Sequence, residues 1–141
     1  MEKIRVAVAG AAGRMGREVV KAVTSQEDML LVAAVDPAKV GEDAGTVAGI
    51  GPLGVTIEPI LAEALARSDA QVMVDFTVPE VVLKHLRLAI TAGVAAVVGT
   101  TGINAEGLAS LSRLAAAGAL VRIYAVPSFS GPAEGVEVAS T

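Results

Sequence analysis

The stretch AVAGAAGRMGREVV, residues 7–20, decides the fold, because it runs from apolar residues through three glycines into a helical pattern. It overlaps IRVAVAG (4–10), a β-branched and apolar run that is typical of a parallel strand buried on both faces. Apolar residues then recur at helical spacing between Arg14 and Val23. The stretch therefore predicts a strand, a glycine turn and a helix in direct succession.

The rest of the chain continues this alternation of strand-like and helical segments. Such alternation predicts right-handed βαβ units and a single-domain α/β fold, a Rossmann-type doubly wound parallel sheet. Residues 37–55 hold five glycines and two prolines without a clear period, which predicts a mobile loop. The predicted strands are 4–10, 30–36, 71–76, 95–99 and 119–126, and the predicted helices are 14–23, 58–67, 79–92 and 104–117.

The three glycines of the turn, Gly10, Gly13 and Gly16, remove side chains where the first strand passes into its helix. Such a turn lets main-chain N–H groups and the helix dipole meet a pyrophosphate. The G-x-x-G-x-x-G spacing is one residue longer at its start than the G-x-G-x-x-G fingerprint, with Ala11 at the position of that pattern's first glycine. The turn therefore predicts a dinucleotide site.

Asp36 ends the second predicted strand twenty residues after Gly16. A carboxylate there would accept hydrogen bonds from the adenosine ribose hydroxyls. A purely structural interpretation stays open, in which the glycines permit close helix–strand packing and Asp36 caps a turn before Pro37.

Three further segments follow the predicted strands at the sheet edge where open α/β folds bind ligands: DFTVPE (75–80), VVGTTG (97–102) and AVPSFS (125–130). Each also has a structural interpretation. Thr77 and Glu80 would form a capping box at a helix start. The second segment would be a plain turn before a helix capped by Asn104, and Phe129 would be a core residue.

The composition argues against several classes of protein. A net charge of −4 and 2% aromatic residues disfavour nucleic acid as a partner. No apolar run reaches the roughly 18 residues of a membrane span. The chain has no cysteine, one histidine and scattered carboxylates, so no metal site is expected and a cytoplasmic location is.

The chain resembles the dihydrodipicolinate reductase family of lysine and diaminopimelate biosynthesis over about residues 3–129. The resemblance rests on VAVAGAAGRMGREVVKAV (6–23), VDFTVPE (74–80), VVGTTG (97–102) and VPSFS (126–130). It implies a dinucleotide-binding domain over 1–129 that uses NADPH or NADH. The reaction it implies is hydride transfer to a cyclic dicarboxylate, reducing 4-hydroxy-tetrahydrodipicolinate to tetrahydrodipicolinate. The cofactor-binding residues it implies are Gly10, Ala11, Ala12, Gly13, Arg14, Met15, Asp36, Phe76, Gly99, Thr100, Thr101, Val126 and Phe129.

The chain also departs from this family. A substrate domain with a His-His motif and a nearby lysine follows in the family, and no segment here matches it. The lone His85 does not match the family's catalytic histidine, so we expect a surface or core residue there and no catalytic residue in this chain. Residues 130–141 leave the family pattern and predict a disordered or non-native tail. We therefore expect dinucleotide binding without turnover from this chain alone.

Several alternatives stay open at this point. Asp36 favours NADH, whereas Arg14 and Lys39 could pair with the 2′-phosphate of NADPH. A short-chain dehydrogenase would need a Tyr-x-x-x-Lys pair, but Ser128 stands four residues after Tyr124. A non-catalytic dinucleotide-sensing or interaction module is the main functional alternative. A homo-oligomer is compatible with the sequence.

Overall fold

The computed structural model of the chain describes residues 2–99, which form five strands and four helices. The strands are β1 (Ile4–Ala9), β2 (Met29–Val35), β3 (Ile57–Glu58), β4 (Val72–Asp75) and β5 (Ala95–Val98). The helices are α1 (Arg14–Ser25), α2 (Ala44–Ala48), α3 (Leu61–Ser68) and α4 (Pro79–Ala92). The predicted helix 104–117, the predicted strand 119–126 and the predicted tail 130–141 lie outside the described residues.

The strands form one parallel sheet in the order β3-β2-β1-β4-β5. The chain first moves outward from β1 through β2 to β3 and then crosses to the other side of β1 to form β4. The strand order therefore reverses beside β1, and in open α/β sheets the crevice outside the carboxyl ends of the strands at such a reversal binds ligands. The prediction of a Rossmann-type doubly wound sheet is confirmed.

Helices cover both faces of this sheet, as the apolar character of β1 predicts. On one face, Val6 and Val8 of β1 belong to a core cluster that also contains Val20 of α1 and residues of α2. On the other face, Ala7 and Ala9 belong to a cluster with residues of α3 and α4. The small side chains of β1 allow both layers to approach closely, so β1 is the buried centre of the domain.

The prediction of a mobile loop at residues 37–55 is wrong, because this segment contains helix α2 and is held in place by hydrogen bonds. The Asp43 carboxylate accepts hydrogen bonds from the main-chain N–H groups of Gly45, Thr46, Leu53 and Gly54, at 2.8–3.1 Å. One side chain thus caps the helix and closes the following loop onto it. A segment held in this way needs no apolar period, which is why the pattern alone predicted a mobile loop.

Candidate functional site

A cavity of about 500 Å³ opens at the carboxyl ends of β1, β2 and β4. Its walls include Gly10 and Gly13 of the turn, Asp36 after β2, and Phe76 after β4. The strand–turn–helix unit at residues 7–20 therefore faces the residues that follow the two neighbouring strands. The cavity lies at the reversal of strand order, where the fold places ligands.

The three glycines of the turn have different structural roles. Gly16 is buried, and a Cβ there would overlap the Gly10 carbonyl oxygen and lie 2.6 Å from its carbon. Gly10 has φ of +84°, and a Cβ there would lie 2.9 Å from the Phe76 carbonyl. The prediction that all three glycines clear space for a ligand is therefore wrong for Gly10 and Gly16. Gly10 allows the turn to approach the Phe76 main chain, and Gly16 permits close packing of α1 on the turn.

Gly13 is the glycine that leaves open space on the cavity side. It is exposed, it has an ordinary φ of −75°, and the nearest atom to a Cβ there is the Gly10 carbonyl oxygen at 3.4 Å. Neither the backbone conformation nor the packing of the described residues requires a glycine at this position. The missing side chain is explained if a ligand approaches the main chain at Gly13.

The main-chain N–H groups of the turn show where an anion could bind. The first four groups donate within the protein: Gly10 and Ala11 to the Val35 carbonyl, Ala12 to Asp36 Oδ2 at 3.0 Å, and Gly13 to the Gly10 carbonyl. The next groups, on Arg14 and Met15, begin helix α1, and no acceptor for them is recorded among residues 2–99. No side chain caps this helix, and its first turn holds no acidic residue. An anion can therefore accept hydrogen bonds at this helix N-terminus, where the helix dipole also favours it.

Asp36 ties the end of β2 to the glycine turn. One carboxylate oxygen accepts the hydrogen bond from Ala12, and the other accepts from the main-chain N–H of Ala38 at 2.8 Å. Asp36 therefore does cap the turn that begins before Pro37, as the structural interpretation held. A carboxylate has about four acceptor positions, so this half-exposed side chain can still accept from ribose hydroxyls.

Phe76 and Gly99 form a third part of the site. The Phe76 ring lines the cavity, and a Cβ on Gly99 would overlap that ring. Gly99 thus makes room for Phe76 at the carboxyl end of β5. The predicted cofactor residues Thr100, Thr101, Val126 and Phe129 lie outside the described residues.

The capping box predicted as an alternative for DFTVPE is wrong. Helix α4 begins at Pro79 with Val78 as its N-cap, and no side chain caps it. The Thr77 hydroxyl donates to Asp75 Oδ1 instead, because Asp75 lies directly behind it at the end of β4.

A buried hydrogen-bonded pair beside the site was missed by the sequence prediction. Asp75 is fully buried, and its Oδ2 lies 2.8 Å from Nδ1 of His85 on α4. His85 lines the cavity with 16% of its side chain exposed, so it is neither a plain surface residue nor a plain core residue. The ten-residue separation between a strand end and the second turn of a helix has no periodic signal that could have revealed the pair.

Two features are absent from residues 2–99 of the structure. No helix there is both long and apolar enough to cross a membrane. No group of three or more histidine, aspartate or glutamate side chains there is arranged to hold a metal ion.

Known proteins resemble this chain in both sequence and structure. The family model "Dihydrodipicolinate reductase, N-terminus" matches residues 4–129. A 4-hydroxy-tetrahydrodipicolinate reductase from Moorella thermoacetica is 46% identical over 127 residues, which cover 90% of this chain and 47% of that protein. A reductase of the same name from Gloeothece citriformis is 48% identical over 136 residues, with 90% and 48% covered.

A solved structure of a dihydrodipicolinate reductase is also similar to this chain. The dipicolinate-bound dihydrodipicolinate reductase from Paenisporosarcina sp. TG-14 superposes with a TM-score of 0.73 at 32% identity, covering 91% of this chain and 48% of that one. The chain thus spans about half the length of the curated relatives that it matches.

Proposed function

Because the chain belongs to the dihydrodipicolinate reductase family, over the part matched by that family's N-terminal model, we propose that it is the dinucleotide-binding part of an NAD(P)H-dependent reductase. The observation that carries the proposal is the open main chain at Gly13. It lies beside the uncapped N-terminus of α1, inside the cavity at the reversal of strand order.

The described residues fit a dinucleotide whose adenosine ribose lies at Asp36 and whose diphosphate lies at the N-terminus of α1. The diphosphate accepts hydrogen bonds from the main-chain N–H groups of Arg14 and Met15, where a Cβ on Gly13 would stand in its way. Asp36 accepts from the hydroxyls of the adenosine ribose. The exposed Arg14 side chain adds positive charge at the same helix N-terminus, which favours a diphosphate.

The dinucleotide supplies a hydride when bound, and the protein supplies its position. Phe76 and Gly99 lie at the carboxyl ends of β4 and β5, on the other side of the turn from Asp36. We place the nicotinamide half of the cofactor on that side, and we propose that Thr100, Thr101, Val126 and Phe129 also contact the cofactor. The hydride acceptor that we propose is 4-hydroxy-tetrahydrodipicolinate, in the cytoplasm.

We further propose that the 141-residue chain binds the cofactor but does not turn over substrate by itself. The family's His-His motif and its lysine match no segment of this sequence. Binding of the substrate carboxylates and delivery of a proton to the reduced centre would then require residues beyond this chain.

The test is a titration of the chain with NADH and with NADPH, followed by calorimetry and by thermal unfolding. We expect saturable binding of at least one of the two and a rise of Tm with ligand concentration. Gly13→Val, which adds a branched side chain at an ordinary φ, should abolish binding while the chain still folds. Absence of binding to the unmodified chain would overturn the proposal, and so would equal binding to the unmodified chain and to Gly13→Val.

A further inference from the structure

His85 is the single histidine of the chain, and it lies on the wall of the cavity. Its Nδ1 lies 2.8 Å from Oδ2 of Asp75, whose carboxylate is fully buried. An ionised carboxylate only accepts hydrogen bonds, so Nδ1 is the donor whether the imidazole is neutral or protonated. A proton that His85 gains is therefore added at Nε2, and the hydrogen bond to Asp75 survives the change of charge.

The Asp75 carboxylate is held in place from its other side. Oδ1 accepts hydrogen bonds from the main-chain N–H of Thr77 at 2.8 Å and from the Thr77 hydroxyl. These contacts keep Oδ2 directed at His85, so a protonated imidazole lies against a fixed negative charge. The pair thus has two charge states that share the same contacts.

The other charged groups near His85 come from the elements around the cavity. Lys84 on α4 and Asp36 after β2 line the same cavity as His85. Helix α4 packs against α3, β4 and β5, and β5 carries no charged residue. The remaining charged residues of α3 and α4 are exposed and are not among the residues that line the cavity, namely Glu63, Arg67, Glu80 and Arg87.

The charge of His85 decides the charge balance of the cavity wall. While His85 is neutral, the negative charges of Asp36 and Asp75 outweigh the positive charge of Lys84, and protonation of His85 removes this excess. Gly13, beside the proposed diphosphate position, lines the same cavity, and a cavity of about 500 Å³ is on the order of 10 Å across, close to the Debye length. One added positive charge at that distance should strengthen binding of a doubly charged diphosphate about tenfold.

We propose that dinucleotide binding is coupled to protonation of His85, with Asp75 as the residue that holds the imidazole in both charge states. The inference rests on the proposed function, since it takes the bound anion to be the diphosphate of a dinucleotide. Binding strengthens as the pH falls, because the protonated imidazole attracts the diphosphate. By thermodynamic reciprocity, the bound dinucleotide draws a proton from solvent onto His85. The site therefore responds to pH through one side chain.

The first test is a calorimetric titration of the chain with NADH between about pH 6 and about pH 8.5, the range in which histidine ordinarily changes its charge. Each pH is measured in two buffers that differ in their heat of ionisation, which reports the protons exchanged. We expect an affinity about tenfold higher at the acid limit than at the alkaline limit, with a maximum uptake of about half a proton per NADH bound. Binding without proton uptake, or with proton release, would overturn the inference. Absence of NADH binding at every pH would instead overturn the proposed function, so the two failures are distinguishable.

The second test assigns the proton to His85 through His85→Gln. Glutamine can donate a hydrogen bond to Asp75 but cannot gain a proton in this pH range, so the proton uptake should disappear and the affinity should become independent of pH. Thr91→Ala, in the last turn of α4, is the matched control and should keep both the pH dependence and the uptake. Uptake that persists in His85→Gln, or that is lost equally in Thr91→Ala, would overturn the inference.

A nuclear magnetic resonance titration of the unmodified chain serves if His85→Gln does not fold, which circular dichroism would show. One histidine gives one set of imidazole signals, so their pH dependence can be followed with and without saturating NADH. The midpoint of this titration should move up by about one pH unit when NADH is bound, since a tenfold coupling acts equally on both equilibria. A midpoint that stays in place or moves down would overturn the inference.

Discussion

Gly13 and Gly16 should respond in opposite ways to the same substitution, because one faces the cavity and the other faces the protein. Alanine at Gly16 places a Cβ 2.9 Å from the Ala11 Cα and in overlap with the Gly10 carbonyl oxygen. Alanine at Gly13 meets only the Gly10 carbonyl oxygen, at an acceptable 3.4 Å. We therefore expect Gly16→Ala to destabilise the fold and Gly13→Ala to weaken dinucleotide binding.

The magnitudes follow from packing and from helix propensity. Overpacking against rigid backbone costs about 3 kcal/mol, and alanine recovers about 1 kcal/mol of helix propensity over glycine, which leaves a loss of about 2 kcal/mol for Gly16→Ala. With an unfolding entropy of about 2.1 cal/mol/K per residue, the 141 residues give a fall in Tm of about 7 °C. Gly13→Ala should change the free energy of unfolding by less than about 0.5 kcal/mol.

The assay measures thermal unfolding without ligand and NADH affinity by calorimetry for both variants. Gly13→Ala should reduce the affinity about tenfold or more, since its Cβ occupies the approach to the Arg14 and Met15 N–H groups. A Gly13→Ala protein that loses several degrees of Tm but binds NADH normally would refute the reasoning. A Gly16→Ala protein as stable as the unmodified chain would refute it equally.

Three further perturbations test other contacts. Main-chain N–H groups, that of Leu53 first, hold the pKa of Asp43 below its usual value against an opposing effect of burial. The contribution of Asp43 to stability is therefore complete above about pH 4 and is lost as the pH falls through the lowered folded-state pKa. The urea midpoint of Asp43→Asn should show a smaller fall with acid than that of the unmodified chain, and identical pH profiles of the two proteins would contradict this. Gly99→Ala should displace the Phe76 ring and weaken NADH binding, with no further loss when Phe76→Ala is added; calorimetry showing fully additive losses would exclude that coupling. Asp36→Asn removes a negative charge beside the proposed 2′ position and should shift the ratio of NADPH to NADH affinity about tenfold toward NADPH; an unchanged ratio would place the ribose elsewhere.

The sequence predicted the elements whose signal is local. The β-branched run of β1 and the helical spacing of α1 specify the first strand–turn–helix unit, and the boundaries of β4, α4 and β5 agree within one residue. The position of Asp36 also followed from its spacing to the turn. These features depend on neighbours in the sequence, which a pattern can report.

The features that the sequence did not predict depend on contacts between distant segments. Helix α2 is only five residues long and is held by Asp43, whose partners extend to Gly54. The Asp75–His85 pair forms because α4 packs over the end of β4. Spacing could not separate Gly13 from Gly16 either, since a glycine that clears a ligand and one that clears a backbone look alike in a sequence.

The most direct measurement is an amide chemical-shift titration of the uniformly ¹⁵N-labelled chain with NADH. The Arg14 and Met15 amide signals should show the largest changes and should reach saturation together with the calorimetric binding curve. Saturable binding that leaves both signals in place would contradict a diphosphate held by the first turn of α1.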